Sequence, residues 1–281
     1  MLFVFFISLI AGILMGITES INKNITDKKY SSFSYFFIQV SFNMAFFAGP
    51  FFLWGIKTIT PILFLYIILI AVCLFLGNIF IIKAYKTEDI SNLNILSKSS
   101  LIVAFFCGII SLKEKATTFD FLGIILIILG ILLIFYEGKK WSLSSGLILG
   151  LISGILGGLA TFLRKLSLEF LNPVAVVYYM QIIIFIMLLF VPKTFRDLQP
   201  ILAKYKKKIL FSRLTAVAGI YLFIWTLSKG NISIVNTNYE TSFLLSTSLI
   251  GILLLNEKKY LTKKISGSTL CILGIILLNF F

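Results

Sequence analysis

The chain has 281 residues, 59% of them hydrophobic and 13% charged, with a mean hydropathy of +1.05. Soluble domains are nearer half apolar and a quarter charged, so a water-soluble globule is excluded. The net charge of +14 then points to anionic lipid rather than nucleic acid, and the absence of histidine removes imidazole metal sites and imidazole general bases.

Apolar runs of about twenty residues, bounded by Lys, Asn, Pro and Gly, predict ten transmembrane helices. The first, over 2–22, carries Gly12, Gly16 and Glu19 and ends at Lys23; it lacks a basic leader segment and reads as a span. The second, 33–55, places Gln39 and Asn43 one turn apart and holds Pro50, which predicts a kink. The third, 61–84, opens on Pro61, where a missing N–H costs little, and contains Cys73 and Asn78. The fourth, 90–112, holds Asn94, Lys98 and Cys107, and the fifth, 118–136, holds Gly123 and Gly130. In the sixth, 145–168, Gly146, Gly150, Gly154 and Gly158 recur every fourth residue, giving a flat face for close helix packing before Lys165.

The seventh span, 173–191, begins at Pro173 and carries Tyr178, Tyr179 and Gln181. Pro192 to Lys208 follows as the longest connection, with six Lys and Arg residues. The eighth, 209–228, holds Arg213, Tyr221 and Trp225; the ninth, 232–255, holds Asn238, Tyr239 and Glu240; the tenth, 263–281, holds Gly267, Cys271 and Gly274. The three cysteines lie in apolar stretches without a paired spacing and read as packing residues. Odd-numbered connections carry about seventeen Lys and Arg against about six in even-numbered ones, which places the odd loops in the cytoplasm and both termini outside.

The sequence repeats itself. Leu9–Lys23 reads LIAGILMGITESINK and Leu151–Lys165 reads LISGILGGLATFLRK, identical at seven of fifteen positions. Gln39 and Gln181 share the same offset, and Glu114, Gly123 and Gly130 recur as Glu257, Gly267 and Gly274. The chain therefore divides into two five-span units, 1–140 and 141–281. An odd number of spans makes the second unit enter the membrane from the opposite side. The predicted fold is all-α: a polytopic membrane protein whose ten transmembrane helices form two inverted five-helix repeats, an arrangement that places substrate near the midplane between them.

The doubled unit and the tails SLKEKATTFDFLGIILIILGILLIF (111–135) and LLNEKKYLTKKISGSTLCILGIILLNF (254–280) resemble the drug/metabolite transporter superfamily, in particular its ten-span EamA-type branch. Lys113 and Asn256 stand where the family often has Gly before the loop Glu, and the fourth and ninth spans lack its frequent proline. The resemblance implies a central cavity lined by helices 1–4 and 6–9, with 5 and 10 peripheral. It also implies movement of small metabolites, amino acids or drugs by alternating access.

Ionisable groups inside a span are costly and are usually paired, functional or both. Those predicted inside are Glu19, Lys98, Arg213 and Glu240, the last roughly 13 Å from the start of its helix. Lys98 and Glu240 occupy cognate positions with opposite charge, suited to neutralising one another or to holding the two ends of a zwitterion. Gln39, Asn43, Tyr178 and Gln181 offer hydrogen bonds, and Trp225 and Tyr239 an aromatic wall. These nine residues, Glu19, Gln39, Asn43, Lys98, Tyr178, Gln181, Trp225, Tyr239 and Glu240, are the predicted substrate contacts. Lys23 and Lys165, also cognate, read chiefly as headgroup anchors, with a gating role at the cavity mouths open.

The functional reading is a secondary transporter of a small polar or amphipathic metabolite in the plasma membrane, monomeric or homodimeric. Its partners are that solute, the lipid bilayer and a coupling proton that Glu19 or Glu240 could carry, with no nucleic acid, no metal and no cofactor. The alternatives are a lipid-linked carrier translocase, using Arg213 or Lys98 to meet a phosphate, and a non-transporting membrane protein. An enzyme is disfavoured, because no Ser–His or paired-Asp constellation is present. No GxxxxGK[ST] motif is present to bind ATP.

Overall fold

A computed structural model describes residues 2–25, 30–53, 59–113, 116–137, 140–141, 144–253 and 261–280. Asp27, Glu114, Asn256 and Glu257 lie outside the described residues. The first unit comprises α1 Leu2–Ile25, α2 Ser32–Leu53, α3 Pro61–Ala84, α4 Ile90–Leu96, α5 Ser99–Leu112 and α6 Thr118–Phe135. A two-residue antiparallel pairing, β1 Tyr136–Glu137 with β2 Lys140–Trp141, joins it to the second. That unit comprises α7 Ser145–Ser167, α8 Pro173–Leu189, α9 Leu198–Lys229, α10 Ile232–Leu253 and α11 Leu261–Phe280.

Among the described residues, six helical stretches are long and apolar enough to cross a membrane: α1, α2, α3, Asn92–Leu112, α7 and α9; α6 and α8 are shorter apolar helices. The lipid-facing surface is greasy, with Leu53 and Phe190 more than four-fifths exposed. Helix starts use local chemistry. Thr60 and Asn172 precede Pro61 and Pro173, and their side chains accept from the N–H groups of Leu63 (3.4 Å) and Ala175 (2.8 Å). Ser144 does the same for Leu147 at 3.2 Å. α2 stays helical through Pro50 and ends three residues later.

Two spans depart from expectation. The predicted fourth span, 90–112, is two helices, because around Ser97 and Lys98 the backbone switches to tighter bonds three residues apart. Lys98 N–H donates to Ile95 O (3.1 Å), and Leu101 N–H to Lys98 O (3.0 Å). The Ser97 hydroxyl, bonded to Asn94 O at 2.7 Å, supports that turn. The predicted eighth span, 209–228, begins eleven residues earlier in α9, so most of the expected 192–208 loop is helix. Hydropathy stops at the lysines, but Lys, Leu and Ala are good helix formers. Ile201 and Ile209 are buried while Lys206, Lys207 and Lys208 face outward. At 32 residues α9 is about 48 Å long, well beyond a hydrocarbon core of roughly 30 Å, so its first turns stand outside the membrane.

The two units clasp one another by exchanging their first helices. α1 packs mainly on α9 and α10, and α7 on α3, α4 and α5. A Cβ on Gly16 would lie 1.8 Å from Ser246 Oγ of α10, and one on Gly154 would lie 2.2 Å from Ser99 Oγ of α5. The glycine faces foreseen in the sequence are therefore helix contacts. α6 and α11 pair with each other to one side, where a Cβ on Gly130 would meet Gly267 O (2.8 Å) and one on Gly274 would meet Gly123 O (2.4 Å). Such reciprocal contacts are the signature of a two-fold relation.

Lys23 and Lys165 show the same relation. Lys23 Nζ donates to the carbonyls of Tyr85 and Glu88, just past the end of α3. Lys165 Nζ donates to those of Leu227 (3.0 Å) and Gly230 (2.8 Å), at the end of α9. Both ammonium groups thus cap the carbonyl end of a helix, where a cation is favoured, and the headgroup-anchor expectation is replaced. Lys165→Met leaves two carbonyls short of a donor and is expected to cost about 1–3 kcal/mol, read as a lowered thermal-unfolding midpoint, with Lys165→Arg recovering part of it.

Candidate functional site

Between the two units lies a cavity of about 260 Å³. Its wall comes from α1–α5 and α7–α10, and none of the lining residues belongs to α6 or α11. Six of the nine predicted contacts line it: Glu19, Gln39, Asn43, Gln181, Tyr239 and Glu240. The other three do not. Lys98 is fully buried behind Glu240, Tyr178 stacks on Phe51 with ring centroids 4.4 Å apart, and Trp225 packs edge-on against Phe3 at 6.0 Å. The stretches that carry this aromatic pair, 173–189 in α8 and 214–227 in α9, are largely apolar on every side, so periodicity does not reveal which face turns inward.

One part of the cavity wall is a hydrogen-bonded polar network, in which Arg213 Nε alone is left open among the described atoms. Asn22 Oδ1 accepts from the Tyr35 hydroxyl (2.5 Å), the Ser212 hydroxyl (2.8 Å) and Arg213 Nη2 (2.9 Å). Its amide donates to Glu19 Oε2 at 3.2 Å, and the Tyr85 hydroxyl donates to the same carboxylate oxygen. Asn22 therefore links the buried guanidinium of α9 to the half-buried carboxylate of α1, two charges that do not touch.

The break between α4 and α5 turns Lys98 towards α10. Its ammonium is ion-paired with the Glu240 carboxylate, donates to Glu240 O at 3.1 Å, and lies 4.8 Å from the centre of the Phe243 ring. Ser100 Oγ donates to Glu240 Oε1 at 3.2 Å. Of the two roles open to this pair in the sequence, the structure has them neutralising each other. Nearby, Asn94 Nδ2 donates to Thr247 Oγ1, tying α4 to α10.

The remaining sector holds residues that sequence reasoning passed over. Gly157, Thr161 and Arg164 project from one face of α7 into the cavity, and Asn236 from α10. Asn236 lines the cavity, and Asn238, two residues on in the same helix, does not. Arg164 Nη2 reaches only the Met180 thioether, at 3.7 Å, and its Nε has no partner. Asn22 and Arg164 share one column of the internal repeat, immediately before the matched lysines, so the signal for both was present.

A family model for EamA-like transporters matches residues 2–136 and again 144–280. The chain belongs to the EamA-like transporter family. The EamA-type protein is thus a multi-pass membrane transporter of the drug/metabolite transporter superfamily, set in a lipid bilayer and acting on a small molecule. No curated protein gives a match to its sequence. One protein of known crystal structure superposes with a TM-score of 0.65, covering 96% of this chain and 94% of its own at 12% identity. At that identity the likeness speaks to fold alone, and it extends over nearly the whole EamA-type chain.

Proposed function

We propose that the protein is a secondary transporter that carries a small polar or amphipathic metabolite across the plasma membrane by alternating access. In this reading two units, 1–140 and 141–281, rock against each other about the central cavity. The observation that carries the proposal is the wall of that cavity: both units contribute polar side chains to it, and several of their buried atoms have no partner among the described residues. Buried polar groups are almost always satisfied, so a wall with open donors and acceptors is built for something that comes and goes. An assembly protein would fill such a space with apolar side chains.

The substrate contacts in this reading are the six predicted residues that line the cavity, joined by Arg164, Asn22 and Asn236. Glu19, which no cation pairs with among the described residues, is the carboxylate suited to carrying a coupling proton. The test is counterflow: proteoliposomes preloaded with unlabelled metabolite should accumulate the labelled form, and an imposed pH gradient should raise that accumulation. Absence of counterflow across a broad metabolite panel overturns the transporter reading, and indifference to the gradient removes the proton.

A further inference from the structure

We infer that the cavity holds a carboxylate-bearing solute, with Arg164 as the anion-binding residue. This rests on the transporter reading for its purpose but on the cavity wall for its evidence.

The charges of the wall are distributed unevenly. Glu240 is matched by Lys98, and Arg213 is matched to Glu19 through Asn22. Arg164 is left over: among the described residues no carboxylate pairs with it, and its single hydrogen bond goes to the soft, weakly accepting sulfur of Met180. A guanidinium within a membrane is stable when an anion or several good acceptors meet it. Among the described residues the wall's carboxylates are engaged elsewhere, Glu240 by Lys98 and Glu19 by Asn22 and Tyr85, and the missing partner is one negative charge.

An open donor in the same wall, Asn236 Nδ2, points the same way, and open acceptors there offer places for N–H or O–H groups elsewhere on the solute. Lining the same cavity, Gln181 is 5% exposed with an open Oε1, Asn43 is 5% exposed with an open Oδ1, and Asn236 is 2% exposed with an open Nδ2. Gln181 directly follows Met180, the residue Arg164 touches, so a charged donor and an open acceptor sit in one sector. Arginine's planar fork matches a carboxylate with two parallel hydrogen bonds. A lone surplus positive charge suits a monoanion better than a phosphate dianion, and it repels an organic cation. With about 260 Å³ available the cavity suits a small molecule, short of the roughly 300–1,000 Å³ typical of drug-sized sites.

The experiment uses the full chain in nanodiscs, with thermal protection read against free amino acids, short monocarboxylic acids, the carboxamide of each, organic cations and inorganic phosphate. At least one acid should protect the wild type while its carboxamide does not. Arg164→Gln should weaken that protection by about tenfold or more, since it loses a charged hydrogen-bonding partner. Arg164→Lys, which keeps the charge without the fork, should fall between. Carboxamides or cations protecting as well as acids, phosphate protecting better than any acid, or no protection by any acid each overturn the inference. So does acid protection that survives Arg164→Gln. The acid-to-amide comparison needs only wild-type protein, so a poorly folding variant does not block the test. Counterflow separates the two claims: acid binding without counterflow sinks the transporter reading alone, and counterflow of a neutral or cationic solute sinks this inference alone.

Discussion

Lys98→Met is expected to destabilise the protein by about 3–5 kcal/mol, the cost of stranding one partner of a buried ion pair. The substitution removes the ammonium that contacts the Glu240 carboxylate and carbonyl and lies against the Phe243 ring. Ser100, at 3.2 Å, is then the carboxylate's remaining donor among the described residues. The double variant Lys98→Met with Glu240→Gln should recover most of that loss, because two neutral groups of similar volume need no mutual compensation. Thermal unfolding of the three variants measures the cycle; a double variant no better than the single would show that the pair is not the source of the effect. Transport by the double variant then isolates the role of the pair: wild-type rates would assign it to packing and assembly.

Gly157 and Gly158 are neighbours in α7 with opposite expected responses. A Cβ on Gly157 meets nothing within 4 Å, since that position faces the cavity. Gly157→Ala should be neutral or stabilising by up to about 1 kcal/mol through helix propensity. Gly157→Leu should leave the fold intact while occupying the solute's space, abolishing counterflow. A Cβ on Gly158 would lie 2.6 Å from Ser100 O and 2.8 Å from Val103 Cβ, so Gly158→Ala should cost about 1–3 kcal/mol by forcing α7 away from α5. Equal unfolding midpoints for the two alanine variants would contradict this assignment of helix faces. Undiminished transport by Gly157→Leu would contradict the placement of the solute path.

Much of this architecture is legible in the chain itself. Hydropathy marks the spans, and the matched segments ending at Lys23 and Lys165 reveal the duplication from which inversion follows. Hydropathy fails where helix and membrane part company: it halts at Lys204–Lys208, although α9 runs straight through them. It also misses the break at Ser97 and Lys98, because neither glycine nor proline marks it and a serine hydroxyl supports it instead.

The site was half legible for a related reason. Acids and amides deep in apolar runs stand out, and Glu19, Gln39, Asn43, Gln181 and Glu240 all line the cavity. Arg164 and Asn22 lie next to lysines at helix ends, where polar residues normally mark the membrane surface, and so drew no attention. Which way a side chain points in a stretch that is apolar on every side depends on tertiary packing, and Tyr178 and Trp225 turned elsewhere.

The exchange of α1 and α7 bears on how the molecule is made. When the ribosome has delivered only the first unit, α1 lacks the helices it will lie against, and the surfaces of α3, α4 and α5 that later receive α7 stand open to lipid. Neither portion is expected to mature alone. Assembly must wait for the second to emerge, and separately expressed fragments should acquire protease resistance only when mixed in the same bilayer.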